Sequence, residues 1–440
     1  MSKIILPPIF LTYSLGCRTN QAETTRLEEQ LINLGFIPFP HVFPYQHKGT
    51  SLNNPCLVLI NTCVVTSKAE KESRGAIRHF KKLYPKAKVV ALGCAANFVN
   101  KADLIIENKD KNAALPIIKK TWPRLFPKKF VNPQSLNPKI DNLFARSGRA
   151  LVKIQEGCDQ FCAYCLVPFL RGKPKSLPVQ EIICQINKLT DQEIKEIILC
   201  GINLSLYGKD LKPSVSLTYL IKKILSQTKA ERICLSSIEP EYLYRNKQFT
   251  DLFINQPRLS KYFHLALQSG SAKTIKNMGR ETDLEKLLKS LQLVKKRFPE
   301  FTFRADVIVG FPTETEKDFQ ATLNFIRKAP IVFCHVFPYS IRPETLAEKL
   351  IKNKLWRDLS GKIKKERVKK TIMLTKEIQK EEGKRLIGKI LPCLIINNRR
   401  AVTNHSWPIK ITTGKGLMGK IYSIKIKKFS EEFLKGKVIH

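Results

Sequence analysis

The chain has 440 residues, 43% of them hydrophobic, and 77 Lys and Arg against 37 Asp and Glu give a formal net charge of +40. That length exceeds one ordinary core and implies two or three domains, and a field so positive points to a polyanionic partner, most simply nucleic acid. No run approaches the roughly 20 apolar residues of a membrane helix, so no membrane contact and a cytoplasmic location are expected.

In chain order, the apolar run from Ile4 toward Cys17 is broken by Pro7 and Pro8. It therefore reads as a first β-strand over Ile9 to Ser14 rather than as a lipoprotein signal. Helix from Asn20 to Leu34, strand from Leu57 to Ile60, helix from Thr66 to Leu83 and strand from Lys88 to Ala91 follow. Such alternation predicts βαβ units and a parallel sheet over residues 1–120. The stretch 121–147 is rich in Pro, Lys and Asn without clear periodicity and is read as a linker.

A longer βα series occupies 148–375. Its expected strands are Leu151 to Gln155, Glu196 to Cys200, Arg232 to Ser236, His264 to Leu267, Phe303 to Val309 and Val332 to Phe337. Helical patterns lie between them, at Val179 to Leu189, Asp283 to Arg297 and Glu316 to Lys328. Six units suit a partial TIM-like (β/α)6 barrel better than a doubly wound sheet. Asn353 to Arg385 reads as a Lys-rich helix, whose basic face is either an RNA contact or simply solvated. Beyond it, Lys389 to Ile396, Pro408 to Ile411 and Lys420 to Lys427 predict a small β-barrel over 376–440. The fold class is thus α/β with a C-terminal β-barrel.

Chemistry resides in the twelve cysteines. Clustering in a chain this large indicates metal or cluster ligands in a reducing compartment rather than disulfides. Cys158, Cys162 and Cys165 occupy one loop after the first barrel strand, where barrel enzymes build active sites. Three thiolates leave one iron of a cubane cluster open, and Tyr164 between the last two can shield its ligand. A zinc site would need a fourth ligand. The next cysteine, Cys184, falls on the apolar face of a helix and is assigned to the core. Cys17, Cys63 and Cys94 each follow a strand of the first domain. In a parallel sheet those strand ends share one edge, so the three can converge, although each alone could be an inert core thiol.

The loop Gly157-Cys158-Asp159-Gln160-Phe161-Cys162-Ala163-Tyr164-Cys165 resembles that of radical S-adenosylmethionine enzymes. The segments around Cys17, Cys63 and Cys94, notably Leu15 to Gln21 and Asn61 to Thr66, resemble the N-terminal domain of the methylthiotransferases. That resemblance implies two [4Fe–4S] clusters, one on the loop cysteines and an auxiliary one on Cys17, Cys63 and Cys94 that carries the sulfur to be inserted. It also implies S-adenosylmethionine as cofactor, with Tyr164, Gly201, Glu239, Gln268, Arg280 and Gly310 lining its pocket. Read by themselves, Gly201 is a strand-end turn, and Glu239 and Arg280 are each an ordinary surface ion-pair partner.

Three departures from the family pattern stand at Lys173 to Pro178, at Glu281-Thr282-Asp283, and at Pro343-Glu344-Thr345 in place of a Pro-Gly-Thr turn. Leu235 to Pro240 and His335 to Ser340 are most similar to the branch acting on N6-threonylcarbamoyladenosine in the anticodon stem-loop of tRNA. Isopentenyladenosine in tRNA and a ribosomal protein are the substrates of the other branches. The C-terminal barrel resembles the TRAM RNA-binding module, with Trp407, His405 and Tyr422 as candidate stacking residues or core. A flavodoxin or ferredoxin reductant and a monomeric state are expected. A two-cluster electron-transfer protein and a zinc-dependent RNA-binding protein are the readings from other classes.

Overall fold

The computed structural model describes residues 7–39, 54–126, 147–430 and 432–439. Contacts divide the chain into two compact units, Met1–Arg146 with Phe169–Gly172, and Ser147–Pro168 with Lys173–His440. Most of the stretch read as a linker lies outside the described residues.

The first unit is a parallel sheet of β1 (Ile9–Ser14), β2 (Ile37–Pro38), β3 (Leu57–Thr62), β4 (Lys88–Gly93) and β5 (Leu104–Ile106), in the order β2-β1-β3-β4-β5. β3 is buried along its whole length and β4 at all but its first residue, which is why both read as unbroken apolar runs. The helices Arg18–Asn33 and Ser67–Leu83 cover the sheet. Thr66, expected as the first helical residue, instead caps the second helix by accepting the amide of Ala69 at 3.1 Å. Phe10, Leu31, Phe36, Leu59, Leu92 and Ile118 centre the core, each contributing about 1.5–3 kcal/mol by burial.

In the second unit, β6 (Arg149–Lys153) leads to a short antiparallel ribbon of β7 (Gln155–Glu156) and β8 (Lys175–Ser176). β9 (Glu196–Cys200) and β10 (Arg232–Leu235) complete a parallel sheet with β6. β11 (Ser237–Ile238), β12 (Tyr262–Gln268), β13 (Thr302–Val309) and β14 (Ile331–Pro338) form a second parallel sheet. β10 and β11 are one strand interrupted at Ser236, so the sheets join into the expected partial six-stranded barrel. Along β12 and β13, Leu265, Leu267, Phe303, Ala305 and Val307 are fully buried, while His264, Arg304, Asp306 and Ile308 are half-buried. Alternation of this kind turns one face to the helices and the other to the barrel lumen.

The Lys-rich stretch is helical only from Gly361 to Lys384, after a Ser360 cap. Its buried stripe is polar: Lys364 bonds Asp358 at 2.6 and 2.8 Å, and Arg367 pairs with Glu314. No apolar period therefore marked its start in the sequence. The C-terminal strands β15 (Ile390–Asn397), β16 (Arg400–Thr403), β17 (Pro408–Thr413), β18 (Ile421–Ser430) and β19 (Phe433–Ile439) close into a barrel. β16 and β19 were not foreseen; one is four residues long, and the other carries Lys and Gly within its span. No helix among the described residues is long and apolar enough to cross a membrane.

This small barrel docks on the N-terminal ends of the large barrel's strands. Arg232 donates to the carbonyls of Val402 and Pro392, at 3.3 and 3.1 Å, and Arg304 donates to Ser406 Oγ at 2.9 Å. Trp407 is 2% exposed, sends its indole N–H to Thr302 Oγ1 at 3.1 Å, and meets Phe333 edge-on. His405 is buried nearby. Of the three candidate stacking residues, these two are therefore packing residues at a seam inside the unit. We expect Trp407→Ala to destabilise the unit by about 3–5 kcal/mol in chemical denaturation. A tryptophan that only stacked bases would leave stability unchanged.

Candidate active site

The cysteine loop leaves β7 through Gly157, whose φ is +73°. Gln155 sets its start: the side-chain amide donates to the carbonyls of Glu156 and Gly157, both at 2.8 Å, and its oxygen accepts the amide of Asn203 at 2.9 Å. Two backbone bonds fix its middle. Ala163 N–H donates to Met278 O at 2.9 Å, and Ala163 O accepts Ala347 N–H at 2.8 Å. Cys158, Cys162 and Cys165 are free, half-buried thiols. Burial pushes all three up, Cys165 to about 12, so without a bound cation they are neutral. A bound cation would supply the positive charge that makes them thiolates.

Beside Cys162 lies a buried ion pair of Arg280 and Glu239. Arg280 Nη1 is 3.8 Å from Cys162 Sγ and Nη2 donates to Ala266 O at 3.0 Å, while Nε is buried with no hydrogen-bond partner among the described residues. Burial raises the Glu239 carboxyl, and Arg280 opposes that shift. A cavity of about 730 Å³ opens here, lined by Gln160, Ser205, Tyr207, Glu239, Tyr242 and Arg280 among others.

The remaining expected pocket residues are more dispersed. Tyr164 packs against Met278, Phe311 and Tyr339. Gly201 follows β9, with Gln155 so close that a Cβ would sit 3.0 Å from its side chain. Gln268 ends β12 with φ +65°, a costly conformation for a residue with a side chain. Gly310 lies under Lys364 of the helix Gly361–Lys384 and donates its N–H to Glu314 at 2.6 Å. Cys184, expected in the core, is exposed, because the buried face of its helix is formed by Ile182, Ile183 and Ile186.

Two of the departures have structural explanations. Asp283 caps the helix Leu284–Arg297 by accepting Lys286 N–H at 3.0 Å. Glu344 occupies the glycine position of the turn and has φ +67°, the left-handed region that glycine takes freely. Glu344→Gly is expected to raise stability by about 1 kcal/mol, read by thermal unfolding; a loss would mean that the side chain makes a compensating contact.

In the first unit Cys17, Cys63 and Cys94 follow β1, β3 and β4 at the C-terminal edge of the sheet. Cys63 lies within electrostatic range of the other two, and burial pushes it up to about 11. Side chains absent from the sequence expectation hold the three loops together. Asn20 donates to the carbonyls of Leu15 and Thr62, both at 2.9 Å. Thr62 Oγ1 donates to Leu92 O at 2.7 Å and accepts Ala95 N–H at 3.1 Å. Ser73 Oγ accepts Cys63 N–H at 3.0 Å and donates to Cys63 O at 3.1 Å. Gly16, with φ +87°, is required: a Cβ there would stand 2.5 Å from Cys63 Sγ.

Arg171 closes this site. Its Nε donates to Cys94 Sγ at 3.1 Å, Nη1 to Glu23 at 2.9 Å and Nη2 to Asn20 Oδ1 at 2.6 Å. Lys111, also buried, pairs with the same Glu23. Two buried cations thus share one carboxylate beside Cys94. Each unit presents three thiols, the donor set of an iron–sulfur cube with one iron left open, and the residues present fit that group.

Residues 152–326 match the radical SAM superfamily and residues 10–115 match the uncharacterized protein family UPF0004. A threonylcarbamoyladenosine tRNA methylthiotransferase of Aquifex aeolicus is 33% identical over 424 residues, 94% of this chain and 98% of the relative. One from Rickettsia prowazekii is 30% identical over 438 residues, 96% of each chain. A tRNA-2-methylthio-N(6)-dimethylallyladenosine synthase of Pseudothermotoga lettingae is 29% identical over 352 residues, 77% of this chain and 79% of the relative. Among solved structures, the radical S-adenosylmethionine methyltransferase TsrM of Kitasatospora setae, with cobalamin and a [4Fe-4S] cluster bound, shares the fold at TM-score 0.54 and 14% identity, covering 79% of this chain and 78% of that one. The chain belongs to the radical S-adenosylmethionine methylthiotransferase family, enzymes that transfer a methylthio group with S-adenosylmethionine and [4Fe–4S] clusters as cofactors.

Proposed function

We propose that this enzyme inserts a methylthio group at carbon 2 of N6-threonylcarbamoyladenosine beside the tRNA anticodon. In this reading Cys158, Cys162 and Cys165 hold the cluster that cleaves S-adenosylmethionine, and Cys17, Cys63 and Cys94 hold the auxiliary cluster. The observation that carries it is the pair of three-thiol sites, each braced by its own hydrogen-bond network. Near full-length similarity to relatives named for that nucleoside supports the substrate. The charge of +40 supports a polyanionic one.

A cluster held by Cys158, Cys162 and Cys165 would supply the electron for reductive cleavage of S-adenosylmethionine. The chain's own residues do the rest. Ala163, pinned on both sides, fixes the middle of the loop that carries the thiols. Arg280 offers its unpartnered Nε to an oxygen of the cofactor, and Glu239 keeps the guanidinium from turning toward solvent. Gln160, Tyr207 and Tyr242 wall the cavity beside it and restrict water. In the other unit Arg171 and Lys111 offset the negative charge of a cluster on Cys94. The boundaries 1–120, 148–375 and 376–440, a flavodoxin or ferredoxin reductant, a monomer and a cytoplasmic location belong to the same reading.

The test is nucleoside mass spectrometry of tRNA from a strain lacking its own methylthiotransferases and expressing this chain. The methylthio derivative of N6-threonylcarbamoyladenosine should appear. If only the dimethylallyladenosine derivative appears, the substrate assignment is wrong; if neither appears, the function is.

A further inference from the structure

Outside the cysteine sites, the barrel lumen holds a cluster that the reaction just described does not use. His264 on β12, Asp306 on β13 and His335 on β14 stand on three adjacent parallel strands with their side chains on the lumen face. His264 Nε2 is 3.0 Å and His335 Nδ1 3.2 Å from the same atom, Asp306 Oδ1, and the three donor atoms lie within 4.8 Å of one another. Both imidazole nitrogens converge on one carboxylate oxygen.

The spacing suits a metal ion. A cation about 2.1 Å from each donor sets neighbouring donors about 3.0 Å apart at right angles and about 3.4 Å apart in a tetrahedron. Two imidazoles and one carboxylate on one side leave the other side open, the donor set of Fe²⁺, Zn²⁺ and Mn²⁺ sites. Exposure is graded the same way: the side chains of His264, Asp306 and His335 are 11%, 24% and 50% accessible. The buried end anchors the site and the open end faces the lumen. Arg304, the nearest cation along β13, turns its guanidinium to the floor, 4.6 Å over the Phe333 ring and bonded to Ser406.

We infer that His264, Asp306 and His335 form a divalent transition-metal site in the barrel lumen, with its open coordination positions facing whatever occupies the lumen. Water fills them at rest, and an oxygen donor of the substrate can replace it. The site does not depend on which nucleoside is modified.

The experiment uses the cluster-loaded enzyme, whose resting [4Fe–4S]²⁺ centres are EPR-silent. Loss of the free Mn²⁺ six-line signal is followed on titration, with Zn²⁺ as competitor and equilibrium dialysis with Zn²⁺ as a second reading. One saturable Mn²⁺ per chain, displaced by Zn²⁺, is expected. Binding should weaken at least tenfold in Asp306→Asn and in His335→Gln, with cluster absorption and circular dichroism unchanged. If Asp306→Asn fails to fold, His335→Gln at the half-exposed position reads the same loss. Absence of saturable binding of either ion at millimolar concentration, or binding unchanged in His335→Gln, would overturn the inference and leave the three side chains as a hydrogen-bonded relay only.

Discussion

Replacing Arg171 with leucine should destabilise the first unit by about 1–3 kcal/mol, the cost of leaving buried acceptors without their donor, while Glu23 keeps Lys111 as its cationic partner. The guanidinium is 1% exposed, and it bonds Glu23, Asn20 and Cys94 at once. Leucine fills most of the volume and returns none of those bonds. Asn20 would lose the partner of its carbonyl oxygen while still bracing the loops of Cys17 and Cys63 through its amide. Arg171→Lys should recover only part of the loss, because an ammonium cannot reproduce the planar fork that serves three acceptors. Urea unfolding of the cluster-free protein, with hydrogen exchange at β1, β3 and β4, measures both. A change below about 1 kcal/mol, the level of an exposed pair, would mean that solvent reaches the pair.

The second large effect separates the half-reactions. Cys158→Ala/Cys162→Ala/Cys165→Ala should abolish formation of 5′-deoxyadenosine and methionine from S-adenosylmethionine. Cys17→Ala/Cys63→Ala/Cys94→Ala should leave that cleavage in place and abolish the methylthio product. The two sets lie in different units, each with its own bracing: Ala163 and Gln155 for one, Asn20, Thr62 and Ser73 for the other. Loss of one set should therefore leave the other standing. Chromatography of both products from one anaerobic reaction decides it. Complete loss of cleavage in the second variant would mean that the two sites are not independent.

Much of this was legible in the sequence, for identifiable reasons. The buried runs Leu57 to Ile60 and Glu196 to Cys200 and the alternation along Phe303 to Val309 carry strong periodic signals, and each became a strand. The cysteines were legible because clustering and position after strands are local properties. β5, of three residues, was too short to show a period. The helix Gly361–Lys384 buries Lys364, Arg367 and Thr371, so its inner face resembles a surface. For Trp407 both stacking and core packing stood open, because nothing in the sequence shows that Thr302 and Phe333 receive it. Arg171 and Cys94 are 77 residues apart, and His264 and Asp306 are 42. Only the fold creates those meetings. Asn20 and Thr62 were within reach, standing beside the cysteines in the segments that carried the resemblance.

The most direct test of two clusters in two units is to count iron and sulfide after anaerobic reconstitution, in the wild type and in each triple cysteine variant. The wild type should hold about eight irons and eight sulfides per chain, and each variant about four, as two cubane clusters require. About four in the wild type, and none after loss of Cys158, Cys162 and Cys165, would contradict the account: Cys17, Cys63 and Cys94 would then hold no cluster, and no sulfur source would remain for the transfer.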